Sequence, residues 1–505
     1  MKPDDGNSVA DAPQRPGESD AVRSGTRIPD TACGSLFDDV FAGPGAVATA
    51  SVGSAPPTAA ETASRRPRVV PPPESPGSLE ASGLTLGQIG ELILKQLYLE
   101  NGLQGADFAR ATRLPFSIID EGLRALKEQR CIEVAAGGAV GRASHRFSLT
   151  ELGRLRAREV FDACRYVGPA PVPLEQYIAQ CRLQSVHGTN CTAASLSNAF
   201  RGVVIGSELL EELGTALCSG CSIFVYGPPG NGKTLIAKRL GRYLNTYGGE
   251  IYVPYAIQID NSIITVFDPV LHQTCDDAEL ARRGLLPSHP LSPATPPIGE
   301  GTIDLRWRRI QRPVVITGGE LTLDMLELQY NRTGNFYAAP LHLKANGGVF
   351  LIDDFGRQLV TPRELLNRWI VPLEERIDFL TLSTGRKLAV PFEQLIIFST
   401  NLNPRDLVDD AFLRRIRNRI RIDAPDEAAF LEIFRLACEE RRLTFPQDLV
   451  KRLFHAHFGP ARSPRSSDPR DLLQLAQSLC RFRQQPFLLT EDLLAETARR
   501  FFAEL

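Results

Sequence analysis

Apolar positions along the chain change their period three times, and each change marks a region. From Leu84, Leu86, Ile89, Leu92, Ile93 and Leu97 recur at helical spacing until Gly102 breaks the run. A short helical pattern over 106–112 follows. A second helix then runs from Phe116 to about Gln129, with Ile118, Ile119, Leu123 and Leu126 as its buried stripe. Residues 131–134 and 146–149 read as two strands joined by a glycine-rich tip at 137–141, and Thr150-Glu151-Leu152-Gly153 opens another helix. Pro169, Pro171 and Pro173 make 164–184 a stiff linker. From about Ser185 short apolar strands alternate with helical segments, the pattern of a parallel α/β sheet. From about Pro425 to the end the pattern is all helical, a small closing domain over 425–505.

Residues 1–82 show none of these periods. They are rich in Pro, Ala, Gly, Ser and Asp and offer too little apolar surface to offset chain entropy, so they read as a disordered tail. One island, Leu36-Phe37-Asp38-Asp39-Val40-Phe41, is apolar and acidic enough for a docking peptide, or is a chance cluster. Composition adds limits. The 505 residues suggest two or three domains, and 57 Lys+Arg against 59 Asp+Glu argue against a whole-chain polyanion binder. Ten cysteines form no framework. Cys218-Ser219-Gly220-Cys221 has the spacing of a redox or metal pair but lacks a second pair, so reduced thiols are expected. Neither a secretory signal nor an 18-residue apolar run is found, which points to a cytoplasmic chain without a membrane span.

The chemistry concentrates after residue 221. The buried-strand pattern Cys221-Ser222-Ile223-Phe224-Val225-Tyr226 runs into Gly227-Pro228-Pro229-Gly230-Asn231-Gly232-Lys233-Thr234, then into a helix from Leu235. This is a complete Walker A sequence in its strand–loop–helix setting. Glycines let backbone N–H groups turn around phosphate oxygens, and the helix start adds its positive dipole end. Lys233 would bridge the β- and γ-phosphates of ATP, and Thr234 would ligate Mg²⁺. A second strand, Gly348-Val349-Phe350-Leu351-Ile352, ends in Asp353-Asp354, where ligands of open α/β sheets bind. Asp353 would hold Mg²⁺ through water, and Asp354 would orient or deprotonate the attacking water. A third strand, 395–400, delivers Asn401, and an arginine pair, Arg414 and Arg415, ends the run from Asp409.

Together these runs resemble the AAA+ superfamily of P-loop ATPases over about 185–505. The resemblance implies an α/β core over 185–424 with a C-terminal helical lid, and Asn401 as the polar sensor on the third strand. It implies that Arg414 or Arg415 reaches the nucleotide of a neighbouring subunit, so that the chain works as a homo-oligomeric ring. Arg470, in the first turn of a helix opened by Asp468-Pro469, matches the family's second sensor, with Arg462 and Arg465 as weaker candidates. Residues 84–163 resemble a winged-helix α+β domain. The helix Phe116–Arg130 that would read DNA balances Asp120, Glu121 and Glu128 against Arg124, Lys127 and Arg130, and this favours docking to protein over DNA.

The chain departs from the family in two ways. The Walker B strand carries Asp-Asp rather than Asp-Glu, which sets the second carboxylate about 1.5 Å back and suggests slow hydrolysis. The distance from Lys233 to Asp353 implies an insertion over about 251–329, holding a Pro-rich loop at 286–297. It also holds a basic aromatic run, Arg306-Trp307-Arg308-Arg309 with Arg312, which would touch nucleic acid or an acidic partner unless it is a solvated face. Ahead of Walker B, Lys344-Ala345-Asn346-Gly347-Gly348 resembles the approach to that strand in bacterial enhancer-binding AAA+ activators. Phe336 and Tyr337 are candidate central-pore residues or packed aromatics, and 377–382 with 388–390 reads as a hairpin. The leading expectation is a chaperone-like remodelling ATPase. The alternatives are an ATP-dependent DNA-binding transcriptional regulator and a slow nucleotide-gated scaffold.

Overall fold

The computed structural model describes residues 68–136, 141–187, 189–275, 303–407, 414–460 and 462–503. The apolar island at 36–41, the strand tip at 137–140, the Pro-rich loop and residues 409–413 lie outside them.

The core is a five-stranded parallel sheet of β1 (Ile223–Tyr226), β2 (Val314–Thr317), β3 (Val349–Ile352), β4 (Leu395–Thr400) and β5 (Asn418–Arg421), in the order β2-β3-β4-β1-β5. Its central strands are apolar without alternation because both faces are covered. Ile223, Val225, Val349, Leu351 and Ile397 pack on one side against helix α1 (Lys233–Tyr247) through Ile236, Leu240 and Tyr243. Phe224, Phe350, Ile352 and Phe398 face the other side, among Phe355 and Trp369. A Cβ on Gly241 would lie 2.4 Å from Val314, so α1 can rest on β2 only with glycine at that turn.

A second layer surrounds a separate core. Short strands at 172–173, 256–259, 262–265, 336–338 and 329–331 form one mixed sheet, and 251–254 pairs with 307–310 as an antiparallel ribbon. The hairpin 377–381 with 387–391 forms as expected and adds Leu380, Leu388 and Val390 to that core. Two expectations are corrected here. The interval 251–329 is not a single insertion, because Val314–Thr317 is the edge strand of the core sheet, while 172–173 and 336–338 join the second layer. The ordered chain also begins before residue 83. Arg68 donates to the carbonyls of Ser185 and Leu183, Val70 is buried, Glu74 bridges Ile303, and 79–82 is a short helix.

Residues 86–163 form helices at 86–99, 105–112, 116–128 and 151–163 with a three-stranded antiparallel sheet of 103–104, 146–149 and 132–136. Gly153, in the first turn of the last helix, is obligatory, since a Cβ there would sit 1.7 Å from the Cys131 carbonyl oxygen. At the C-terminus, helices 427–440, 447–457, 468–482 and 491–501 enclose Phe430, Phe434, Leu472, Leu473 and Leu494.

The candidate nucleotide site

Strand β1 ends in the loop 227–232, which turns through three left-handed glycines, Gly227, Gly230 and Gly232. A Cβ would strike backbone at one of them and crowd side chains at another. A Cβ on Gly227 would stand 2.1 Å from the Ile422 carbonyl oxygen, and one on Gly230 would press on Ser467 and Arg465 at 3.0–3.2 Å. Helix α1 starts at Lys233, so its free N–H groups face the loop's interior. The Lys233 ammonium donates to the carbonyls of Gly227 (3.0 Å) and Pro228 (2.9 Å). Burial lowers its pKa, against the opposing pull of Asp353 and Asp354.

Parallel pairing of β3, β4 and β1 carries three more polar groups to the same edge. Asp353 follows β3 and accepts from the Thr234 hydroxyl at 2.6 Å and from the Ser399 hydroxyl on β4 at 2.8 Å. Asp354 takes a left-handed φ of 51° and accepts from Asn401 Nδ2 at 2.8 Å. Aspartate tolerates that conformation better than most side chains.

These groups line a cavity of about 670 Å³, within the range of small-molecule sites. Pro229, Gly230, Asn231, Gly232, Lys233, Thr234, Leu235, Asp353, Asp354, Asn401 and Arg470 all border it. Arg470 enters from the lid, with its guanidinium 3.4 Å from Glu440. Gly227 and Pro228 contribute through their carbonyls to Lys233. Arg414 and Arg415 do not border it: Arg414 is exposed, and Arg415 is held by Glu374 at 2.6 Å. Of the weaker candidates, Arg462 lies over Phe502 and Arg465 packs over Gly230.

Sequence reasoning missed the apolar end of the cavity, formed by Val203, Ile205 and Leu209 before β1, Ile422 after β5, and Ile433 and Leu436 from the lid. A signal existed: in the helix 427–440, Phe430 and Phe434 serve the lid core, leaving Ile433 and Leu436 as a second apolar stripe. Ser399 was also missed. The cavity therefore has an apolar pocket beside a cationic, donor-rich one, which suits a base joined to a phosphate chain. Asn231 Nδ2 supports the fit, being buried without an acceptor among the described residues, a cost that a phosphate oxygen would remove.

The arginines of the second layer do not form a nucleic-acid surface. Arg306 is 1% exposed, ion-paired with Asp304 at 2.8 Å, and donates to the Ser82 carbonyl. Arg309 pairs with Glu250. Arg312 is buried and donates to the carbonyls of Gly248, Gly249, Gln184 and Gly347. The pore reading of Phe336 and Tyr337 is also corrected. Tyr337 is buried with its hydroxyl on Ser383, and Phe336 packs edge-on against Tyr166. Cys218 and Cys221 are free thiols, and among the described residues no three ligating side chains gather as a metal site and no helix is long and apolar enough to cross a membrane.

A family model described as a domain of unknown function, DUF8689, matches residues 426–499, the helical lid. A segment of 47 residues, 9% of this chain and 6% of the other, is 47% identical to the vesicular-fusion protein SEC18 of Candida albicans. Among solved structures, NtrX of Brucella abortus in complex with ADP overlaps 60% of this chain and 56% of its own at 16% identity, with a TM-score of 0.33. The RuvB Holliday junction branch migration motor of Thermotoga maritima overlaps 65% of this chain and 71% of its own at 14% identity and a TM-score of 0.31. The motifs follow one another along the edge of a parallel sheet, under a helical lid, in the order that the resemblance to AAA+ P-loop ATPases implies.

Proposed function

We propose that the chain hydrolyses ATP with Mg²⁺ and works as a homo-oligomeric ring that remodels or assembles a protein partner, with the winged-helix-like module as its recruiting element. The observation that carries this reading is the pair of carboxylates at the cavity edge, each with its own polar partner: Asp353 with Thr234 and Ser399, Asp354 with Asn401. Thr234 and Asp353 are the residues that would hold Mg²⁺, which neutralises charge on the phosphate oxygens when bound. Lys233 would trade its two loop carbonyls for β- and γ-phosphate oxygens. Asp354 would accept a proton from the attacking water while Asn401 orients it. Arg470 would contact the γ-phosphate from the lid. Arg414 or Arg415 would do so from the neighbouring subunit, in keeping with their position away from the chain's own cavity.

One observation favours a second reading, a slow nucleotide-gated scaffold: the second Walker B acid is the shorter aspartate. A DNA-linked regulator has less support. Asp120, buried on the presumed reading helix, binds both Arg124 and Arg142, the latter at 3.3 Å. Two of the module's cations thereby share one carboxylate, which offsets one unit of positive charge before any phosphate approaches, and phosphate attraction is the main source of DNA affinity.

Subunit mixing tests the assembly. Lys233→Ala chains and chains lacking both Arg414 and Arg415 should each be inactive in phosphate release, and their mixture should recover activity. A mixture as inactive as its parts, or turnover per subunit that ignores protein concentration, would remove the ring from the account.

A further inference from the structure

The residue before Gly232 in the phosphate loop is an asparagine, and its amide is split between two tasks. Asn231 Oδ1 accepts the backbone N–H of Ser466 at 3.0 Å, across 235 residues of sequence. Beside it, the Ser467 N–H donates to the Gly230 carbonyl at 3.0 Å, and Arg465 and Ser467 fill the space above Gly230. The lid turn that makes these contacts is fixed in advance. Asp468, 4% exposed, accepts the Arg465 N–H at 2.8 Å and caps the turn into the helix 468–482. The other half of the Asn231 amide, Nδ2, is buried in the cavity wall without an acceptor among the described residues.

We propose that Asn231 is a positioning residue that latches the helical lid to the phosphate loop, so that release of nucleotide requires the latch to open. Through Oδ1 it holds Ser466. Through Nδ2 it is left to donate to a phosphate oxygen, so the same side chain senses the ligand and closes the lid. The Ser467–Gly230 hydrogen bond seats the lid turn beside it, and opening the lid breaks both. This inference rests on the nucleotide reading of the cavity given above.

The test is the dissociation rate of a fluorescent N-methylanthraniloyl-ADP from the full chain, chased with excess ADP. Asn231→Ala and Ser466→Pro both remove the Oδ1–Ser466 hydrogen bond; Ser466→Pro should raise the rate about fivefold, the worth of one such bond, and Asn231→Ala, which also removes the Nδ2 donor, at least as much. The double variant should be no faster than Asn231→Ala alone, since the bond lost in Ser466→Pro is already lost there. Limited proteolysis of the nucleotide-free chain gives an independent reading, with Asn231→Ala speeding cleavage at the core–lid joint, 423–426. Four results overturn the latch: unchanged dissociation in Asn231→Ala, acceleration there but not in Ser466→Pro, multiplied effects in the double variant, or unchanged cleavage. If the wild-type chain binds no nucleotide at all, the cavity's assignment fails first. Binding with unaltered rates removes the latch alone.

Discussion

Two arginine-bearing regions of this chain use the same chemistry to opposite ends. In the second layer, Arg306 and Arg312 are buried and spend their donors on Asp304 and on backbone carbonyls, tying segments more than a hundred residues apart. Around the candidate cavity, Lys233 and Arg470 are held only lightly, by two loop carbonyls and by an exposed Glu440. A cation held by several fixed partners in a dry interior is structural, and removing it leaves charges and carbonyls unpaired. A cation beside a cavity with replaceable partners can exchange them for a ligand. The difference lies in the number and burial of partners rather than in residue type.

The largest expected effect sharpens the functional side. Asp354→Asn should lower phosphate release by about 10²- to 10⁴-fold, the usual range for loss of a general base, while nucleotide affinity changes little. Equal losses in affinity and turnover would make Asp354 a binding group instead. On the structural side, Arg306→Ala leaves Asp304 buried without its partner, so urea unfolding should show a loss of about 3–5 kcal/mol. The nucleotide affinity of the folded fraction should hold. A loss under about 1 kcal/mol would erase the contrast between the regions.

A smaller effect appears with pH. Asp378, 1% exposed in the hairpin at 377–381, meets His342 at 2.7 Å and Arg368 at 2.5 Å. Burial opposes its ionisation, but hydrogen bonds and charge from His342 and Arg368 prevail and hold the carboxyl down to about 2. Its folded value lies below its unfolded value near 3.8, so its contribution is complete above that pH and is lost as pH falls toward 2. The loss should be about 2 kcal/mol across that window, and Asp378→Asn should flatten it. The smallest effect concerns the module at 84–163. Duplex DNA should bind the full chain no more tightly than about 10⁻⁴ M at physiological salt, the weak end of nonspecific binding. Submicromolar binding with a steep salt slope would return the module to DNA.

The contrast also explains what was legible. Strands β1, β3 and β4 were readable because each is an apolar run leading into a polar motif, and the residues from Pro229 to Leu235, with Asp353, Asp354, Asn401 and Arg470, border one cavity. β2 was missed because Val314–Thr317 is four residues long and follows Arg312-Pro313, with no motif at its end. Outside the hairpin the second layer was opaque for the same reason, its other strands being two to four residues each. The Arg306 run misled because net charge along the sequence does not reveal Asp304 and the carbonyls of Ser82 and Pro171 converging on it. Asn231 gave no local sign of Ser466, since that contact exists only once the lid is folded over the loop.

The central claim is that this cavity binds and turns over ATP through Lys233, and multiple-turnover phosphate release from the full chain with Mg²⁺-ATP tests it most directly. The account predicts sustained release by the wild type and a fall of at least about 10²-fold in Lys233→Ala, the scale set by losing one stabilising donor at the reacting phosphate. The variant should unfold within about 3 kcal/mol of the wild type, because Lys233 gives up only two loop hydrogen bonds. Equal rates from the two proteins, or no release from either at any protein concentration, would contradict it.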